Sequence, residues 1–128
     1  MRMRVFSGYM LLQGFAGASW WMCLVWIPSS RDYFTPQGAP DWTILSFWLA
    51  DSLLFVVGSV LSGVFLLRGS SYARPVLWFT AGAVSYASLY CVGQSTLTGS
   101  AWLAAVAMLP AMCVTLWISV RYEILCRQ

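Results

Sequence analysis

The stretch FWLADSLLFVVGSVL, residues 47–61, places a carboxylate, Asp51, inside an apolar run that has the character of a membrane-crossing helix. A charged side chain at the centre of such a helix costs about 2.5 to 3.5 kcal/mol on insertion scales, so it normally faces protein or water. The other charged residues of the chain lie in the tails or between apolar segments, and only Asp51 interrupts one. Asp51 is therefore the first candidate for a functional residue.

Composition indicates a membrane protein. Hydrophobic residues make up 60% of the 128 residues and charged residues 9%, and the mean hydropathy is +0.74, whereas an average soluble domain has about 25% charged residues. Four segments, approximately residues 5–27, 44–67, 75–97 and 101–120, reach the length that a membrane-spanning helix needs. Because backbone groups must be paired within lipid, we expect an all-α membrane protein. Residues 1–128 should form a single integral membrane domain, a four-helix transmembrane bundle.

The arginines predict the orientation of this bundle. Six of them fall on one side of the predicted membrane, and the other side has only Arg31, in the loop over residues 28–43. The positive-inside rule then places both termini in the cytoplasm, N-in and C-in. This asymmetry explains the net charge of +3, so we do not expect a nucleic acid as partner. We expect the lipid bilayer as partner instead. The predicted location is a bacterial cytoplasmic (inner) membrane. The six are Arg2, Arg4, Arg68, Arg74, Arg121 and Arg127.

Depth along the predicted helices brings other polar side chains to the level of Asp51. Asp51 lies seven residues inside the second segment, which is roughly 10 Å below the outer boundary at 1.5 Å per residue. Tyr86, Tyr90 and Gln94 recur every fourth residue on the third segment and so share one helical face. Ser19 reaches a similar depth on the first segment. These five residues are the predicted ligand-binding group, in which Asp51 accepts a hydrogen bond from Tyr90, Gln94 or Ser19.

Other residues predict helix packing rather than a site. Small residues four positions apart let helix backbones approach closely, and such pairs are Gly14 with Ala18, Gly58 with Ser62, and Ser59 with Gly63. Gln13, an isolated amide in the first segment, is predicted to form an interhelical hydrogen bond. The sequence has no Lys, His or Asn, no phosphate-binding glycine loop and no G-x-S-x-G motif. We therefore predict no catalytic residues, no metal site and no cofactor.

One family shares part of this arrangement. FWLAD at residues 47–51, with the loop before it, resembles the EXPERA superfamily of four-helix sterol isomerases and related receptors. The resemblance implies an acidic residue, here Asp51, early in the second helix and facing a cavity for a lipophilic ligand. These proteins place a second carboxylate on the first helix, and the first segment here has no acidic residue. The resemblance therefore supports a ligand pocket and does not assign the chain to the superfamily.

Three functions fit these observations. The first is a non-catalytic subunit or assembly partner of a membrane complex or homo-oligomer, in which Asp51 is a polar clamp between helices. The second is a carrier or receptor for a lipid or another lipophilic small molecule, with Asp51 as its polar anchor. The third is a small isomerase-like enzyme that modifies lipids by proton transfer at Asp51. The third function ranks last because no second carboxylate lies within the predicted spans, which leaves Tyr86 or Tyr90 as its partner.

Overall fold

The structure, a computed structural model, describes residues 2–127, and this range is helical with no β-strand. The helices are α1 (Arg2–Trp26), α2 (Trp42–Leu45), α3 (Trp48–Ala50), α4 (Gly58–Arg68), α5 (Ala73–Thr98) and α6 (Trp102–Cys126). A 3₁₀ helix, Pro28–Tyr33, follows α1, and a π-helical segment, Asp51–Val57, joins α3 to α4. The expected all-α class is confirmed for this range.

Within the described range, three helical stretches are long and apolar enough to cross a membrane: Trp42–Arg68, Ala73–Thr98 and Trp102–Cys126. We call the first of them, which runs from α2 to α4, the second span. The chain is thus a helical protein with the features of a multi-pass membrane protein. Helix α1 has 25 residues but is not one of the three, because Gln13 and several Gly, Ser and Trp residues lower its hydropathy. The fourth span and the N-in, C-in orientation remain predictions.

The four long helical stretches pack as neighbours in a ring. Helix α1 packs along the second span, the second span packs on α5, and α5 packs on α6. Helices α1 and α6 meet toward the end of the bundle that holds the chain termini, where the rings of Phe6 and Trp117 lie edge to face with centroids 5.6 Å apart. An apolar core fills this end, and its fully buried members include Met10 and Leu77. The ring is therefore closed by packing at the terminal end.

Small residues explain why the helices pack so closely. A methyl group added at Gly58 would lie 2.8 Å from Oγ1 of Thr80 on α5, and one added at Gly63 would lie 3.1 Å from the backbone oxygen of Ser7 on α1. A methyl group at Gly14 would lie 3.2 Å from the backbone oxygen of Val56. The close approach predicted at these three glycines is confirmed, because a methyl group at any of them would require an atom of the neighbouring helix to shift.

The loop before the second span folds back over the end of the bundle opposite the termini. Arg31 donates from Nε to the backbone oxygen of Leu24 at 2.8 Å and pairs through Nη1 with Asp41 at 2.7 Å. It thereby satisfies a carbonyl at the end of α1 that has no partner within the helix. Farther along, the backbone N–H of Gln37 donates to Oγ of Ser100 in the turn between α5 and α6, at 3.4 Å. The loop is thus tied to both sides of the ring.

Candidate ligand-binding site

A cavity of about 990 Å³ lies between α1, the second span, α5 and α6, and it extends from this loop past the middle of the bundle to Tyr9 on α1 and Trp78 on α5. Its walls are mostly aromatic and aliphatic, and the end nearest the loop is lined by Phe34 and Pro36. The ring of Phe34 lies edge to face on Trp20 of α1, with centroids 5.4 Å apart. The volume and the apolar walls are typical of sites for small molecules, which occupy roughly 300 to 1,000 Å³.

Four of the five predicted site residues line this cavity. They are Asp51 on the second span and Tyr86, Tyr90 and Gln94 on α5. The fully buried face of α5 includes Leu77, Val84 and Ser88. At 3.6 residues per turn, the face that carries Tyr86, Tyr90 and Gln94 lies on the other side of the helix, which is the side that borders the cavity. The structure therefore places Asp51 and the polar face of α5 on the same cavity, as their similar depth along the helices predicts.

Ser19 is the exception. It is exposed on α1 and is not among the cavity-lining residues of the described chain. At this level of α1 the cavity is lined by Ala16, Gly17, Trp20 and Trp21. At 100° per residue the centre of these four residues lies about 130° around the helix from Ser19. The depth of Ser19 matched that of Asp51, but its direction around the helix did not.

Asp51 is half-buried, and within residues 2–127 its side chain makes no hydrogen bond to another protein group. The expected direct bond from Tyr90 or Gln94 is therefore not formed. The ring of Tyr90 instead packs on Phe47, with centroids 4.9 Å apart and an interplanar angle of 50°. Asp51 is also the one charged residue among the described residues that line the cavity. Its carboxylate can thus accept hydrogen bonds from a molecule in the cavity.

The backbone at Asp51 has a feature that the sequence does not reveal. Asp51 is the first residue of the π-helical segment Asp51–Val57, in which each turn is wider than in an α-helix. Leu54 and Phe55 of the same segment also line the cavity. Such segments inside α-helices are often found at functional sites, because they redirect side chains locally. Here the segment presents Asp51 and its apolar neighbours to one space.

Toward the end of the cavity nearest the chain termini lies Gln13, a polar residue for which the sequence predicts a packing role. Gln13 of α1 donates from Nε2 to Oγ of Ser59 at 3.0 Å, and its Oε1 accepts from Oγ1 of Thr115 on α6 at 2.9 Å. The predicted interhelical hydrogen bond is confirmed and joins three helices. Gln13 also lines the cavity, which was not predicted. An isolated amide in an apolar span was the signal in the sequence that could have indicated this.

No protein family, no curated protein sequence and no solved structure matches the chain.

Proposed function

We propose that this chain is a membrane-embedded carrier or receptor that binds a lipophilic ligand through Asp51. One observation carries the proposal: a carboxylate that makes no side-chain hydrogen bond within residues 2–127 lies on the wall of a cavity of about 990 Å³ whose other walls are mainly apolar. A buried carboxylate is costly unless it is paired. A ligand that brings an ammonium or hydroxyl group to Asp51, and apolar groups to the remaining walls, would satisfy both parts of the cavity.

The proposal includes the membrane setting. We infer that α1 crosses the bilayer with the other three helices, since its 25 residues span roughly 37 Å at 1.5 Å per residue. With both termini in the cytoplasm, the cavity would extend from the outer surface past the middle of a bacterial cytoplasmic membrane. The positions of the arginines in the sequence support this orientation. A lipophilic ligand would then reach the site from the bilayer or from the outer surface.

The two other predicted functions fit the cavity less well. A subunit or assembly partner that uses Asp51 as a clamp needs a closed contact at Asp51, whereas Asp51 lines the described cavity. An isomerase-like enzyme needs a second acid or base near the ligand. Asp51 is the one carboxylate among the described lining residues. The second group would therefore have to be Tyr86 or Tyr90, the partners predicted from the sequence. Both functions remain predictions.

A binding experiment with decylamine tests the proposal. The purified chain is placed in nanodiscs of zwitterionic lipid, and the quenching or shift of tryptophan fluorescence is followed, since Trp20, Trp21 and Trp78 line the cavity. We expect saturable binding that exceeds partition into protein-free nanodiscs. Asp51→Asn should weaken it about tenfold or more, because hydrogen bonds to a charged group contribute about 1.5 to 3 kcal/mol.

Asp32→Asn is the matched control, because Asp32 is an exposed carboxylate of the loop and does not line the described cavity. It should leave decylamine binding unchanged. Equal affinities of the wild type and Asp51→Asn would contradict the proposed role of Asp51. A structure determined in lipid adds a direct test, since a ligand- or lipid-shaped density beside Asp51 is expected.

A further inference from the structure

We infer that the ligand has a second polar group and that the amide of Gln13 is the specificity-determining residue that binds it. This inference rests on the proposed function, because it concerns the same cavity. The wall between the two polar positions includes Leu54 and Phe55. The expected ligand class is therefore a bipolar lipophile, with a basic or hydroxyl group at Asp51 and a hydrogen-bonding group at Gln13.

The hydrogen-bonding capacity of Gln13 supports the inference. A side-chain amide has two N–H donors and an oxygen that accepts two hydrogen bonds. The bonds to Ser59 and Thr115 use one donor and one acceptor position. One N–H and one oxygen lone pair remain, on a side chain that borders the cavity. The two existing bonds also hold the amide in place, so it would lose little conformational entropy when a ligand binds.

The spacing of the two anchors sets the length of the ligand. Ser59, which bonds Gln13, lies eight residues after Asp51 on the second span. An α-helix would place the two polar levels roughly 12 Å apart along its axis, and the wider turns of the π-helical segment Asp51–Val57 make the separation shorter than this. Tyr9, four residues before Gln13 and on the same face of α1, also lines the cavity and brings a hydroxyl to the same end. A medium-length alkyl chain with polar groups at both ends matches this separation.

Two probes that differ by one hydroxyl test the inference. Decylamine and ω-aminodecanol have the same amine and the same chain, and only the second carries a hydroxyl at the far end. Each affinity is measured in nanodiscs and corrected for partition into protein-free nanodiscs. We expect the wild type to bind ω-aminodecanol about fivefold to tenfold more tightly than decylamine, the gain of one hydrogen bond. In Gln13→Met the ratio should fall to about one.

Ser59→Ala separates ligand binding from helix packing. It removes one bond of the Gln13 network, but Ser59 does not line the described cavity and the amide stays there. This variant should keep the preference for ω-aminodecanol. A preference lost equally in Ser59→Ala and Gln13→Met would overturn the inference, because Gln13 would then act through packing.

The wild type alone provides a second test, which applies even if Gln13→Met does not fold. Equal wild-type affinities for the two probes would overturn the inference, whereas decylamine binding that depends on Asp51 would leave the proposed function standing. If neither probe binds the wild type, the proposed function fails together with the inference.

Discussion

Oγ1 of Thr115 donates a hydrogen bond of 2.9 Å to Oε1 of Gln13, across 102 positions of the chain. This bond joins the first long helix to the last. The same amide bonds Ser59 on the second span. Hydrogen bonds between membrane helices contribute about 0.6 to 2 kcal/mol each. Gln13 is therefore both the polar centre of the bundle and the end wall of its cavity.

The first prediction concerns the stability that Gln13 contributes. Gln13→Leu leaves the buried hydroxyls of Ser59 and Thr115 without the amide, so we expect the free energy of unfolding to fall by about 1 to 3 kcal/mol. Unfolding in mixed micelles of increasing SDS fraction, followed by circular dichroism, measures this. Gln94→Leu is the control, because Gln94 makes no side-chain hydrogen bond within the described residues. An equal loss in both variants would contradict the structural role of Gln13.

The second prediction concerns the contact between the second span and α5. In Gly58→Ala the new methyl group would lie 2.8 Å from Oγ1 of Thr80. Thr80 cannot move away without disturbing its 3.2 Å hydrogen bond to Ser62. We expect a loss of about 1 to 3 kcal/mol in the free energy of unfolding, the usual cost of overpacking.

Gly93→Ala is the matched control for that substitution. Gly93 lies within α5, and a methyl group there would meet nothing within 4 Å. The variant should be as stable as the wild type or more stable by up to about 1 kcal/mol, because Ala favours helix over Gly. If Gly58→Ala matched Gly93→Ala, the close approach at Gly58 would be in error. The same unfolding assay serves for both.

The helix-packing glycines and the depth of the site residues could be predicted from the sequence. Small residues at a spacing of four identify a face on which backbones approach, and the fixed rise of the helix converts residue number into depth. The spacing rule correctly predicted the close approach at Gly58 and Gly63. The helical rise correctly predicted that Asp51, Tyr90 and Gln94 lie near one another along the bundle. It was not sufficient for Ser19, because direction around a helix depends on which face packs, and only the assembled bundle determines that.

Two further features had no sufficient signal in the sequence. The π-helical segment at Asp51–Val57 has no characteristic residue pattern, since it inserts one wide turn into an ordinary apolar stretch. The second feature is the absence of a bond between Asp51 and the Tyr90 to Gln94 turn. A shared depth permits such a bond but does not require it, and Tyr90 packs on Phe47 instead. Side-chain pairing of this kind depends on distances of a few ångströms that depth alone does not resolve.

The third prediction separates binding from stability at Asp51. The carboxylate makes no hydrogen bond within residues 2–127, so its removal breaks no helix contact. We expect Asp51→Leu to unfold with a free energy equal to or above that of the wild type, because burying a carboxylate without a partner is unfavourable. A residue that costs stability and is kept for ligand binding behaves in this way. The unfolding assay above measures it.

Asp51→Asn is the companion variant for that measurement. If Asp51 were a clamp between helices, Asn would preserve the fold and Leu would destabilise it by about 0.6 to 2 kcal/mol. That pattern would contradict the proposed function and restore the subunit hypothesis.

The last prediction tests the orientation of the bundle in the membrane. Gln37 is exposed in the loop before the second span, and Ser71 is exposed in the turn between α4 and α5, beside Arg68 and Arg74. Each is replaced by Cys in a background whose native cysteines, which are free, have been changed to Ala. Because six arginines lie on the side of Ser71, a membrane-impermeant maleimide added to intact cells should label Gln37→Cys and leave Ser71→Cys unlabelled. After the cells are opened, both variants should react. Labelling of Ser71→Cys alone in intact cells would show that the bundle is inverted, and labelling of both would show that residues 37 and 71 lie on the same side and that the second span does not cross.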